Sequence, residues 1–180
     1  DECNNGTERV NKAYMKINKE YDVIVNVQGD EAFIKPCDID KAIQYHINNN
    51  NYCTCIHSKS KSYKDMYDSS KTKVCLKKNN RIMYISRSII PGNKKNENYM
   101  ENFDYYIHLG IYIYSPNALE DINNLTMGNN ENIENIEMLR LIENDKDVDS
   151  FEVDCPYIQI NTLNDINELK SKYDIILYKK

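Results

Sequence analysis

Tyr105 to Ser115 reads YYIHLGIYIYS, the longest aromatic and β-branched stretch of the chain. Such residues fit the pleated surface of a sheet, so a central strand is expected there. The patterns on either side of it alternate between strand and helix. Val23 to Val27 is a short apolar run that reads as a buried strand. Asp38 opens a helical pattern as its N-cap, with Ile39, Ala42, Ile43 and Ile47 on one side, and the Asn48 to Asn51 run ends it. YCTCIH reads as a second strand. Thr72 to Lys77 and Arg81 to Ser86 are strand-like runs flanking Lys78-Asn79-Asn80, a hairpin signal in which Asn tolerates the left-handed turn geometry. Glu131 to Asn144 carries Ile133, Ile136, Leu139 and Ile142 near helical spacing. Phe151 to Val153 and Tyr157 to Ile160 read as short strands, and Leu163 to Tyr173 as a closing helix. IPGNKKNENYMENF, with the one Pro-Gly pair of the chain, is the best loop. This order favours a layered α/β fold over a sandwich, in a single domain over residues 1–180.

A chain of 180 residues with a net charge of −5 lacks the basic excess that phosphate neutralisation demands. That argues against nucleic-acid binding but leaves room for a nucleotide site built on a few local cations. No apolar run approaches the roughly 20 residues that span a bilayer, so no membrane association is expected. The first residue is Asp1 and no signal-like segment precedes the folded pattern, so the expectation is a soluble piece whose start lies elsewhere. The 6 cysteines are Cys3, Cys37, Cys53, Cys55, Cys75 and Cys155. A chain of this size needs no staples, and beside Cys53 and Cys55, which share one strand face, no second ligand pair has zinc-like spacing, so scattered reduced thiols are expected.

The Val23 to Val27 run gives way abruptly to Gln28-Gly29-Asp30-Glu31. In open α/β sheets ligands sit outside the carboxyl ends of strands. Gly29 allows close backbone approach, and a carboxylate at Asp30 is well placed to hold Mg²⁺, a hard cation that often bridges substrate phosphates. The plainer alternative is a solvated turn that merely ends the strand.

Four motifs in order, NGTERV, VNVQGDE, YISRSIIP and IHLGIYIYS, resemble the 3-deoxy-manno-octulosonate cytidylyltransferase (CMP-Kdo synthetase) family. TKVCLKKNNRIMYISR, ENIEMLRLIE and INTLNDINEL extend the resemblance over nearly the whole chain. It implies a Rossmann-like α/β/α sandwich of the nucleotide-diphospho-sugar transferase type. It also implies cytidylyl transfer from CTP to the sugar acid Kdo, with Mg²⁺, giving CMP-Kdo for lipopolysaccharide and releasing pyrophosphate. The full-length form is expected to be a homodimer in the cytoplasm or in an organelle.

By the same resemblance, Asp30 is the magnesium aspartate and Gln28 contacts substrate. Arg9 lies near the nucleotide, with Gly6 and Thr7 against its base or ribose. Arg87 takes the sugar carboxylate, His108 lies on the Kdo side, Tyr112 lines the sugar pocket, and Glu134 with Glu137 forms the acidic pair of the late helix. Each has a plainer alternative: Thr7 as a helix N-cap, Arg87 in a surface ion pair, His108 as a structural residue, Glu134 and Glu137 on a solvated helix face.

The chain also departs from the family pattern. The family's basic, glycine-containing phosphate loop and first strand have no counterpart here, so the chain alone is expected not to turn over. The second metal position falls to Asn161, a neutral amide. Arg140-Leu141-Ile142-Glu143 replaces an expected Glu-Gln-Leu-Arg tail, and Ala32 replaces a proline. Two other readings stand beside the enzyme: a diverged, non-catalytic nucleotide- or sugar-binding relative, and a cytidylyltransferase for another acidic sugar such as a sialic acid.

Overall fold

The structure, a computed structural model, describes residues 3, 5–17, 19–31, 33–60, 62–92, 104–154, 166–167 and 169–170. Its helices are α1 (Gly6–Ile17), α2 (Pro36–Asn48), α3 (Tyr63–Tyr67), α4 (Pro116–Asn124), α5 (Asn129–Glu134) and α6 (Met138–Glu143). Its strands are β1 (Ile24–Val27), β2 (Cys53–Ser60), β3 (Lys73–Leu76), β4 (Ile82–Ser86), β5 (Tyr105–Tyr114) and β6 (Val148–Glu152). The strands make one sheet in the order β4-β3-β5-β2-β6, with β1 also paired to β5.

The expected central strand is central. Along one edge β5 pairs antiparallel with β2. Its other edge is shared: Tyr106 and Ile107 pair with β3, while Ile111 to Tyr114 pair with β1. The sheet is mixed, since β6 runs parallel to β2.

Alternation along β2 and β5 sends Cys53, Cys55, Tyr112 and Tyr114 to one face and Ile56, Leu109, Ile111 and Ile113 to the other. The first face packs under Leu119 and Ile122 of α4 and Met138, Leu139 and Leu141 of α6, with Val10 and Tyr14 of α1 at the margin. The second packs under Ala42 and Ile43 of α2. Helices therefore cover both faces, which is the layered α/β arrangement. Among the described residues no helix is long and apolar enough to cross a membrane.

The helix starts differ from expectation. Lys35, extended at φ −76° and ψ 132°, precedes Pro36, so α2 begins two residues before Asp38. Proline suits a first helical position because its missing N–H has no intrahelical partner there. Asp38 is an acidic first-turn residue, bonded to Lys41 Nζ at 3.2 Å, and not the cap. At α1 the Glu8 amide donates to Asn5 Oδ1 at 2.8 Å, so the cap is Asn5 and not Thr7.

The continuous helix expected over Glu131 to Asn144 is broken into α5 and α6. Asn135 sits between them in the left-handed conformation, φ 54° and ψ 52°. The hairpin is as expected, with Asn80 at φ 63°. β1 is less buried than expected, with only Asn26 of its four residues buried, and β6 starts at Val148, before Phe151. The five described cysteines are free thiols. Most of the IPGNKKNENYMENF loop, Cys155, the Tyr157 to Ile160 run, Asn161 and most of the closing helix lie outside the described residues.

Ile113 of β5 is fully buried against Ala42 and Ile56. Ile113→Ala is expected to lower unfolding free energy by about 2–5 kcal/mol in a urea titration. Met15→Ala, on the exposed side of α1, is expected to change it by less than about 0.5 kcal/mol.

Candidate active site

The two strands that share one edge of β5 stop short of each other. The amide of His108 donates to Thr72 O at 2.9 Å, just before β3. The amide of Gln28, just after β1, donates to Gly110 O at 2.9 Å. Between these bonds the edge of β5 faces a cavity of about 560 Å³, lined there by His108 and Gly110, with Tyr112 of the stretch paired to β1 also on the wall.

β5 is irregular at this point. Its register with β2 passes from Cys55↔Tyr112 to Ile56↔Leu109, so Gly110 and Ile111 form a bulge. In an antiparallel pair the Gly110 amide would be returned to the Gln28 carbonyl. Instead it donates to Glu31 Oε1 at 2.6 Å, while the Glu31 amide takes Gln28 O at 3.1 Å and closes a turn. That turn carries Asp30 to the cavity wall. A Cβ on Gly110 would lie 2.5 Å from Gln28 Oε1 and 3.1 Å from Gln28 Cβ, so a bare backbone is what lets Gln28 cross the strand.

The opposite wall hangs on a buried ammonium. Lys73 is 0% exposed, and its Nζ donates to Asp68 O, Lys71 O and Arg87 O, each at 2.7 Å. All three of its protons are used. Burial lowers its pKa; the neighbouring Asp68 carboxylate opposes that. The contact ties the turn carrying Ser70 and Thr72 to the end of β4, where Arg87 enters the cavity lining.

Arg87 is not in a surface ion pair. Its Nε donates to Glu134 O at 2.7 Å, Nη1 to Ser69 O and Nη2 to Asn135 O, each at 3.4 Å. These carbonyls fix the guanidinium plane. Its remaining N–H donors have no partner among the described residues and are available to an anion.

Glu134 and Glu137 separate in role. Glu134 lies outside the cavity wall and clamps the end of β4: it accepts from Ser86 Oγ at 2.5 Å and from the Arg87 amide at 2.9 Å. Glu137 lines the cavity while accepting from the Gly6 amide at 3.1 Å and Thr7 Oγ1 at 3.2 Å. Burial raises the Glu137 pKa, and the bonds from Thr7 and Gly6 partly offset it. Neither glutamate is on a solvated face. Gly6 and Thr7 lie behind Glu137 and not on the wall, and Arg9 is exposed on α1, also off the wall.

His108 is 3% exposed, with Nε2 3.3 Å from Tyr112 Oη and Nδ1 without a partner among the described residues. Burial, and then the facing His57, lower its pKa to about 3. His57, opposite it in the ladder, bonds Ser150 Oγ through Nδ1 at 2.6 Å. Burial and the Lys59 ammonium lower its pKa to about 4, so its 3.7 Å approach to Glu152 is no ion pair at neutral pH. Burial likewise pushes the Tyr112 phenol up, so it stays protonated.

Sequence reasoning missed Asn5, Ser70, Thr72 and Asn135 on this wall. Asparagine is so abundant here that Asn135 carried no signal, while Asn5 and Thr72 each open a quoted stretch, NGTERV and TKVCLKKNNRIMYISR, in which other residues drew the assignment. Among the described residues no group of three or more His, Cys, Asp or Glu could hold a metal by itself. Asp30 faces the cavity with no side-chain partner among the described residues, whereas the Glu131 carboxylate is taken by Arg140 at 2.6 and 2.7 Å.

Both imidazoles have folded pKa values below their ordinary 6.5. As pH falls below about 6.5, the unfolded chain binds protons that the folded chain refuses, and stability falls until about pH 4 for His57 and about 3 for His108. The limiting slope is about 1.4 kcal/mol per pH unit for each ring. A His57→Gln, His108→Gln double variant should show a flatter decline in urea midpoint between pH 7 and pH 5. An equal decline would clear both rings of responsibility.

A sequence profile described as cytidylyltransferase matches residues 1–148. The 3-deoxy-manno-octulosonate cytidylyltransferase of Parabacteroides distasonis is 37% identical over 150 residues, covering 80% of this chain and 60% of the relative. The Arabidopsis thaliana protein of that name, designated mitochondrial, is 32% identical over 174 residues, covering 95% of this chain and 59% of the relative. The chain thus spans about 60% of the length of these relatives. A solved CMP:2-keto-3-deoxy-manno-octonic acid synthetase complexed with CTP superimposes with a TM-score of 0.82 at 25% identity, covering 95% of this chain and 68% of that one. A putative glucose-1-phosphate thymidylyltransferase from Bacillus anthracis shares the fold at 15% identity, with a TM-score of 0.64, 100% of this chain and 65% of that one covered.

Proposed function

The chain belongs to the cytidylyltransferase family, and on that premise we propose that it carries the sugar-acid side and part of the nucleotide side of an enzyme that transfers a cytidylyl group from CTP to Kdo. One observation carries this reading. A single cavity gathers Gln28, Asp30, Arg87, His108, Tyr112 and Glu137 from four separate stretches of sequence. The site combines a cation held in a fixed plane, a carboxylate free to take a cation, and a neutral buried ring. That set suits two anionic substrates that have to be brought together without a charged nucleophile from the protein.

The anomeric hydroxyl of the sugar acid gives up its proton to solvent as its oxygen attacks the α-phosphorus of CTP; a new P–O bond forms, the bond from that phosphorus to the bridging oxygen breaks, and pyrophosphate leaves. Positioning and electrostatics supply most of the catalysis in such transfers. Arg87 offers its remaining N–H donors to the sugar carboxylate, with its plane already set by three carbonyls. His108, uncharged at neutral pH, lines the sugar side of the cavity with its ring. Gln28, lying across Gly110, presents its amide to substrate.

The residues present fit Mg²⁺. That ion is commonly bound through one or two carboxylates plus substrate phosphates, and Asp30 is a cavity-facing carboxylate with no other side-chain partner among the described residues. When bound there it would offset charge on the triphosphate. Asn161 lies outside the described residues. The location proposed is the cytoplasm or an organelle, the latter prompted by the mitochondrial designation of the plant relative.

The test is pyrophosphate release with CTP, Kdo and Mg²⁺ by a protein containing these residues, with a sialic acid as the competing acceptor. Asp30→Asn is expected to abolish turnover and leave the urea midpoint unchanged; near-normal rates would remove Asp30 from the metal. Arg87→Lys is expected to raise the KM for the sugar acid about 10–100-fold, the equivalent of one lost charged hydrogen bond of ~1.5–3 kcal/mol. A change confined to the KM for CTP would place Arg87 on the nucleotide instead.

A further inference from the structure

The carboxylate beside Asp30 has no role in the chemistry above. Glu31 is 8% exposed and turned away from the solvent that a turn residue usually meets. It lies off the cavity wall, and its Oε1 accepts the Gly110 amide at 2.6 Å, a charge-assisted bond to a backbone donor in the bulge of β5. On the other side of the same glycine, the carbonyl accepts the Gln28 amide at 2.9 Å. The two bonds grip Gly110 from both ends of one four-residue turn, which the Glu31 amide closes on Gln28 O at 3.1 Å. Asp30 is the third residue of that turn. Among the described residues, its position relative to the edge of β5 is therefore held by main-chain contacts at Gln28 and by the side chain of Glu31.

We propose that Glu31 is a positioning residue for the metal–nucleotide site: by holding the Gly110 amide it anchors the Gln28 to Glu31 turn and so presents Asp30 and Gln28 to the cavity. The inference rests on the cytidylyl-transfer reading and deepens it. The role requires an acceptor oxygen of the right reach, and not a charge directed at the ligand. Glutamine at this position therefore serves and alanine does not. Aspartate, one methylene shorter, withdraws the oxygen from Gly110.

The experiment reads the two links separately. With five glycines in the chain, ¹⁵N-glycine labelling gives few enough resonances to follow the Gly110 amide and its exchange with solvent. Mn²⁺ uptake in the presence of CTP, measured by water-proton relaxation, reads the site without turnover. Groups that orient a metal ligand typically cost about 10–100-fold in metal affinity when removed. That loss is expected for Glu31→Ala and for Glu31→Asp, together with faster exchange at Gly110. Glu31→Gln is expected to keep Gly110 protected and to retain most of the affinity. Asp30→Asn is expected to lose Mn²⁺ while Gly110 stays protected.

Should the alanine chain not fold, the aspartate and glutamine variants carry the same comparison. Unchanged Mn²⁺ affinity with Gly110 exchanging freely would overturn the inference. So would an equal loss in Glu31→Gln with Gly110 still protected, which would make Glu31 a direct ligand. In either case the functional reading stands. A parent chain whose Mn²⁺ uptake is indifferent to CTP would overturn that reading, and this inference with it.

Discussion

The cavity exists because β5 is longer than either strand that shares its second edge. β5 has ten residues, β1 and β3 have four each, and the last two meet β5 at opposite ends. A sheet edge left unpaired in a protein interior would strand backbone N–H and C=O groups. Here the gap runs only from His108 to Gly110, and each backbone group at its margins finds Thr72, Gln28 or Glu31. A ligand can lie against the middle of a sheet because β1 ends there and β3 begins there. The carboxyl end of β1 delivers Gln28 and Asp30 to the site, in keeping with the rule that ligands sit beyond strand ends.

Several charged side chains around this gap act as struts. Lys73 binds three carbonyls, Glu134 binds the end of β4, Glu137 binds the start of α1, and Arg140 joins Glu131 of α5 to the Ile122 carbonyl of α4. The one buried ion pair among them, Glu131 with Arg140, adds little net stability, since desolvation consumes most of the attraction. The value of these struts is geometric. They hold the main chain at Arg87 and at the start of α1, leaving Asp30 and part of one guanidinium to meet a ligand.

The sequence revealed the parts of the fold that repeat a local pattern. β5, the β3–β4 hairpin and α2 each follow from residue type and period. The site was legible where a motif placed a side chain on the wall, as with Gln28, Asp30, Arg87, His108, Tyr112 and Glu137. What escaped was set by distant contacts. Nothing local tells that Glu134 faces the backbone of β4 forty-seven positions away, or that Glu137 does the same for α1. The helical spacing of Ile133 to Ile142 hid the break at Asn135: one left-handed residue redirects the chain there, so that Ile136 and Leu139 reach the core while Ile133 of α5 is 71% exposed. The strand-like run that contains Lys73 gives no sign of its burial, which depends on the carbonyls of Asp68, Lys71 and Arg87.

Lysines are ordinarily the residues that acylating reagents find first. Lys73 is sealed from solvent with every proton committed, and its amine has no lone pair to offer while those three carbonyls hold it. Its acylation requires the cavity wall to come apart, with the turn before β3 parting from the end of β4. The chain thus contains an internal chemical clock. The rate at which one amine is marked, set against the exposed lysines around it, measures how often the Arg87 wall of the cavity opens.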